Sequence, residues 1–164
     1  MAEIRLGLIG TGKISTQLAD AARAAGSYRL SAILSRDLAR GEAFAAENGI
    51  ERAFSDEEAF FSSGLDAVYV ATPNCHHAHG ACAAAAHGLH VLCEKPTATS
   101  YAEWQEMRRV ADQHGVVLMG PCARCTTHPL HCCKSTCPAL AGCATCGWNT
   151  ANIPRAMTPF WRAR

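Results

Sequence analysis

Gly10-Thr11-Gly12, followed by Lys13, Ile14 and Ser15, forms a G-x-G-x-x-S run directly after the apolar stretch Ile4–Ile9. A loop of this kind can bring an anion to main-chain N–H groups. Gly10 permits the tight turn, and Gly12 lets a pyrophosphate approach the backbone. The helix that follows offers free N–H groups and a partial positive charge. Ser15 stands where a third glycine is usual and is small enough for close helix–strand packing. Gly10, Thr11, Gly12, Lys13 and Ile14 are therefore the phosphate-side candidates. Alone, the run also fits a glycine turn with no ligand. The strand before it, the helix after it and the strand–helix units downstream favour a dinucleotide. A second group, Ser35-Arg36-Asp37, ends the next strand, where NAD enzymes usually place an acid for the adenine ribose. A guanidinium and a hydroxyl suit a 2′-phosphate instead, so Ser35 and Arg36 lean toward NADP over NAD. The other reading has Arg36 stacked on adenine or facing water. Asp37 reads as a helix cap.

The remaining reactive side chains are less specific. Lys95, in Glu94-Lys95-Pro96 after the strand-like His90–Cys93, reads equally well alone as a surface lysine. His76, His77, His79 and His87 fall at the two ends of one helical stretch, with Cys75 and Cys82 nearby, but no standard ligand spacing emerges. They read as solvated or capping histidines, and no metal is expected.

The positioning elements alternate. Ile4–Ile9 is a branched, apolar run suited to a buried parallel strand. A helix is predicted over Lys13–Ala25, closed by Gly26. Then come a strand at Leu30–Leu34, a helix over Asp37–Asn48 and a short helix near Asp56–Phe61. A strand at Asp66–Ala71, a helix over His77–His87 and a strand at His90–Cys93 follow. The helix Tyr101–His114 and the strand Val116–Met119 end the series. The alanine run Ala83–Ala86 needs only helix propensity to explain it. Five strands separated by helices predict an α/β, doubly wound parallel sheet with helices on both faces. Ligands in such sheets bind at the carboxyl ends of the strands.

The 164 residues carry a net charge of +1 with 49% apolar residues, enough for a core and too balanced to suggest a nucleic-acid or acidic-membrane partner. No apolar run reaches the length of a membrane span, and Ile4 enters a strand with no basic, apolar leader before it, so the expected compartment is cytoplasmic.

Three segments now resemble the Gfo/Idh/MocA family of oxidoreductases: Gly7–Ser15; Asp66-Ala67-Val68-Tyr69-Val70-Ala71-Thr72-Pro73-Asn74 with His77; and Glu94-Lys95-Pro96 after Val91-Leu92-Cys93. The resemblance covers about residues 3–119, and the E-K-P triplet is its most specific part. It implies a Rossmann fold and hydride transfer between NAD(P) and a carbon of a sugar, polyol or related cyclic alcohol. By position it implies that Ala71, Thr72, Pro73 and Asn74 line the nicotinamide-ribose and phosphate side. His77 would orient the cofactor or its helix. Glu94 would contact nicotinamide or its ribose, and Pro96 would fix the turn. Lys95 becomes the catalytic candidate: an ammonium beside nicotinamide can stabilise developing alkoxide charge or relay a proton.

Composition breaks after this region. Residues 1–119 hold ten basic and all 14 acidic residues, a net −4; residues 120–164 hold five basic residues and no acid, a net +5. Seven of the ten cysteines lie in that tail. Cys122-x-x-Cys125 and Cys143-x-x-Cys146 have the spacing of a four-thiolate zinc module. The tail is read instead as out of frame. If one base is missing just after the Met119 codon, reading each later codon one base earlier turns every TGY cysteine codon into NTG, which encodes Leu, Met or Val. With suitable base choices the recovered string can begin MEAMRTLHD. With suitable third-base choices it regains acids, tyrosines and the alternating pattern VRHVRLEY, and it resembles the start of the family's second domain. The chain is thus expected to comprise a dinucleotide-binding domain, residues 1–119, and a poorly ordered tail, residues 120–164. The family's substrate domain and its oligomer contacts would be missing, and the chain would be inactive. A stand-alone dinucleotide-binding module and a zinc-binding adaptor are the other function classes left open.

Overall fold

The computed structural model of the chain describes residues 3–120. The zinc and reading-frame interpretations of Cys122–Cys146 lie outside the described residues. Strand β1 (Ile4–Ile9) is followed by helix α1 (Lys13–Ala25), β2 (Tyr28–Leu34), α2 (Leu38–Asn48), β3 (Arg52–Phe54) and α3 (Glu57–Phe61). The chain continues through β4 (Ala67–Val70), a 3-10 turn (Asn74–His76), α4 (His77–Ala86), β5 (His90–Cys93), α5 (Tyr101–His114) and β6 (Leu118–Met119). All neighbouring strands pair in parallel, in the order β3-β2-β1-β4-β5-β6. From β1 the chain winds outward through β2 and β3, then crosses back to lay β4 on the other side of β1. The crevice at this reversal, beyond the carboxyl ends of β1 and β4, is where open α/β sheets take ligands.

The sheet has six strands rather than the five expected. The addition is β3, three residues pairing with Ala32–Leu34 at the sheet edge. It opens with an exposed arginine, so it shows neither an apolar run nor an alternation. β2 also begins two residues earlier than expected, at Tyr28, and β6 is only Leu118–Met119. The helix termini follow local chemistry. Asp37, Asp56 and Ser100 accept N–H bonds at the starts of α2, α3 and α5, and left-handed glycines Gly26, Gly49 and Gly115 close α1, α2 and α5.

Both faces of the sheet are covered. On one, α1 and α2 set Leu18, Ala19, Ala22 and Phe44 against Leu8, Ile33, Ala67 and Tyr69. On the other, Phe60, Ala81, Ala84, Ala85 and Met107 from α3, α4 and α5 cover Ile9, Val68, Val70 and Val91. Ala84 and Ala85 are essentially sealed, so the alanine run serves close helix–sheet packing as well as helix propensity. Gly7 is a packing requirement: a Cβ there would sit 2.6 Å from Leu65 Cδ1 and 2.8 Å from Phe60 Cζ. At the opposite end of the sheet from the crevice, half-buried His90 accepts the Val117 N–H on Nδ1 at 3.1 Å, and burial lowers its pKa. Among the described residues no helix is long and apolar enough to cross a membrane.

Candidate functional site

The site begins where β1 ends. Gly10 N–H donates to Leu34 O at 3.0 Å, and Ala71 N–H donates to Ile9 O at 2.9 Å, so the flanking strands anchor the loop root. Gly10 has φ +106°, and a Cβ there would lie 2.7 Å from Ala71 O. The fold itself therefore demands glycine at this position. Gly12 is different. Its backbone is extended, and a Cβ would meet nothing within 4 Å. No neighbour in the described residues needs Gly12 to lack a side chain; what the glycine leaves is room for something to approach α1. That helix has no side-chain cap and no acid in its first turn, so its first N–H groups and the positive end of its dipole are open to an anion. Ser15 is completely buried and donates from Oγ to Gly10 O at 2.6 Å. It thus ties the loop down as well as permitting close packing.

A cavity of about 800 Å³ opens from this loop. Of the residues singled out from sequence, Gly10, Thr11, Gly12, Ser35, Arg36, Ala71, Thr72 and Pro73 line it. Ser35 is almost buried at the end of β2, while Arg36 is exposed beyond it. Asp37 caps α2 by accepting the Arg40 N–H at 3.3 Å. That cap places Arg40, which sequence reasoning passed over, on the same cavity wall as Arg36. Neither guanidinium has a carboxylate or carbonyl partner among the described residues, unlike Arg5, which grips Asp66 and holds its carboxyl below the usual carboxylate range. The signal available in sequence was the second arginine four residues after Arg36, behind a capping aspartate.

The other candidates stand outside the cavity lining. Lys13 and Ile14 are exposed on the first turn of α1, and Asn74 opens the 3-10 turn. Glu94, Lys95 and Pro96 form a turn beyond β5, with a cis Lys95–Pro96 peptide. The Lys95 side chain is exposed and has no hydrogen bond or ion pair among the described residues; its N–H donates to Glu94 Oε2 at 2.9 Å. The other Glu94 oxygen accepts the hydroxyl of Tyr69, which burial and this carboxylate push well above the ordinary phenol range. Tyr69 was missed: within Ala67–Val70 it reads as one more core residue.

His77 is also unlike the solvated or capping histidine expected. It is 1% exposed, with Nδ1 2.8 Å from Pro96 O and Nε2 2.9 Å from Thr72 O. His79 and His87 instead pair with Glu57 and Glu58. Among the described residues no three His, Cys, Asp or Glu side chains are grouped to hold a metal. Thr72 Oγ1 is buried without a partner, the only such side-chain oxygen or nitrogen among the described residues, and it belongs to a residue on the cavity wall.

Residues 4–120 match the oxidoreductase family, NAD-binding Rossmann fold, known as Gfo/Idh/MocA. The chain is 42% identical over 117 residues to the scyllo-inositol 2-dehydrogenase (NADP(+)) of Bacillus subtilis, covering 71% of this chain and 36% of that enzyme. Its fold matches an NAD binding oxidoreductase from Klebsiella pneumoniae with a TM-score of 0.73 and 36% identity, over 77% of this chain and 36% of that one. A 3-ketoreductase from Actinomadura kijaniata, in complex with NADP and TDP-benzene, matches with a TM-score of 0.68 and 32% identity, over 72% of this chain and 37% of that one. The doubly wound sheet with a glycine loop at its crossover defines a nicotinamide-dinucleotide-binding domain of the Rossmann class. The chain belongs to the Gfo/Idh/MocA oxidoreductase family. It spans little more than a third of the length of the relatives it matches.

Proposed function

We propose that the domain of residues 3–120 binds a nicotinamide dinucleotide, NADP in preference to NAD, and presents it for hydride transfer with a sugar, polyol or related cyclic alcohol. The observation that carries the reading is the open space at Gly12 before the uncapped start of α1. It is a cradle that the protein's own packing does not need and that a pyrophosphate would use. Arg36 and Arg40, free of carboxylates beside Ser35, supply charge for a 2′-phosphate. The partner-free Thr72 Oγ1 supports a polar occupant on the Thr72–Asn74 side. One relative is named for NADP(+) and one structural match holds NADP, while others hold NAD+ or NADH, so the preference for NADP rests on Arg36 and Arg40.

When bound, the nicotinamide ring supplies the hydride acceptor or donor. The chain's own residues would hold and orient it: Gly10–Ile14 at the pyrophosphate, Ser35 and Arg36 at the adenosine, and Ala71–Asn74, His77 and Glu94–Pro96 toward nicotinamide. Lys95 is the acid–base candidate, its ammonium free to stabilise alkoxide charge or pass a proton. By the family resemblance it is the catalytic candidate of this chain. The 164-residue chain alone is therefore expected to bind cofactor without appreciable turnover of a polyol. Titration of nicotinamide fluorescence tests the reading. NADPH should bind more tightly than NADH, and no response to either would overturn it.

A further inference from the structure

The exposed Lys95 ammonium has no hydrogen bond or ion pair among the described residues, so its placement depends on the residues on either side. Both are held by buried side chains arriving from different layers of the fold. Before Lys95, the Glu94 carboxylate is fixed at each oxygen: Tyr69 donates its hydroxyl to Oε1, and the Lys95 N–H donates to Oε2 at 2.9 Å. Tyr69 is 3% exposed and belongs to the core layer under α1 and α2. After Lys95, the Pro96 carbonyl is met by His77 Nδ1 at 2.8 Å. His77 sits at the head of α4, on the other face of the sheet, and its Nε2 lies 2.9 Å from Thr72 O. One ring thus joins the loop after β4 to the turn after β5.

We propose that Tyr69 and His77 are positioning residues that bracket Lys95, fixing the direction from which its side chain leaves the backbone while the ammonium stays free. The role assigned to Lys95 rests on the dinucleotide reading above. The bracket itself is a property of the chain without ligand. Buried hydroxyls and imidazoles are retained where their polar atoms have partners, and losing either group here strands one carboxylate oxygen or a carbonyl. Tyr69 acts through Glu94, and His77 acts through Pro96 and Thr72. Neither is hydrogen-bonded to the Lys95 side chain. Beyond the strand ladder that ends with Glu94 N–H on Val70 O, the ring of His77 is the hydrogen-bonding link among the described residues between the two loops that would border nicotinamide, so it also sets Thr72–Asn74 in register with Lys95.

The full 164-residue chain tests this, because it has only three lysines, Lys13, Lys95 and Lys134, whose 13C-methylated amines are separable by NMR once Lys95→Arg assigns one of them. Without dinucleotide, Tyr69→Phe and His77→Gln should each speed exchange of the Lys95 amide about tenfold, the effect of losing one hydrogen bond's support. Each should also move the Lys95 methyl signal toward its unfolded position. Lys13 and the sheet amides of Leu8 and Val68 should stay as in the parent. A variant with an intact sheet and an unchanged Lys95 overturns the bracket. If His77→Gln loses the sheet, the parent's long-range 15N–1H spectrum decides. An Nδ1–H protected from exchange supports the His77 arm, and a ring with no proton on Nδ1, or one exchanging at free-imidazole rates, overturns it. Adding NADPH should then shift Lys95 in the parent, with a smaller shift in each variant at equal occupancy. No NADPH response in the parent would refute the dinucleotide reading, while the ligand-free comparison would still decide the bracket.

Discussion

The two ends of the candidate site are built in opposite ways. At the end beside β2, Arg36 and Arg40 stand exposed and, among the described residues, without a carboxylate partner on a cavity of about 800 Å³, with Ser35 almost buried behind them. At the end beside β5, Lys95 has no hydrogen bond or ion pair at its tip among the described residues, but its neighbours are held by Tyr69 and His77, both almost completely buried. One end offers charge that a ligand must organise. The other is organised before any ligand arrives. This fits the different demands of the two ends: recognition of a phosphate tolerates mobile guanidiniums, whereas an acid–base group must stay within hydrogen-bond reach of a reacting atom.

The loop between these ends supplies the sharpest break of the comparison. Gly10→Ala would force a side chain into a positive-φ turn and against Ala71 O, so it should cost about 1–3 kcal/mol from backbone strain alone and abolish binding. Thermal unfolding with NADPH titration checks both effects. Removing Arg36 and Arg40 together should leave the melting temperature unchanged and cut NADPH affinity roughly tenfold to a hundredfold, the worth of one charge-assisted contact, with NADH barely affected. Equal losses for both cofactors would place these arginines elsewhere than at a 2′-phosphate.

A smaller effect lies at the far end of the sheet. His90 accepts the Val117 N–H and is held neutral by burial, with its folded pKa below the unfolded value near 6.5. Below that pH the unfolded chain binds more protons, so stability should be full above about pH 6.5 and fall as the pH drops toward the folded pKa. Denaturant melts from pH 5 to 8 should show that slope, and His90→Gln should flatten it. The smallest effect is chemical. Buried Cys93, whose thiol is pushed up to about 12 by burial and by nearby Glu94, should resist iodoacetamide in the folded chain, while exposed Cys75 reacts. Peptide mapping distinguishes the two.

How much of this was readable beforehand followed the same division. β1, α1, β5 and α5 start and stop where the apolar runs, caps and glycines predict. The Gly10–Gly12 loop, Ser35 and Arg36 were visible as residues of the cavity because each follows a strand at the carboxyl edge of the sheet. β3 was not visible, since three edge residues beginning with arginine carry no period. Tyr69 was hidden among apolar neighbours, and its one polar contact lies 25 residues away in sequence. His77 was singled out by resemblance, but its bridge from Thr72 to Pro96 depends on two strands lying side by side. Arg40 needed the Asp37 cap to place it. What local pattern encodes was legible; what tertiary contact creates was not.

Calorimetry on the parent chain and on Gly12→Val tests the central claim most directly, because nothing in the described residues touches a Cβ at that position. The account predicts NADPH binding heat for the parent, none for the variant, and closely similar melting temperatures for both proteins. Equal heats from parent and variant, or no heat from the parent at millimolar NADPH, would contradict it.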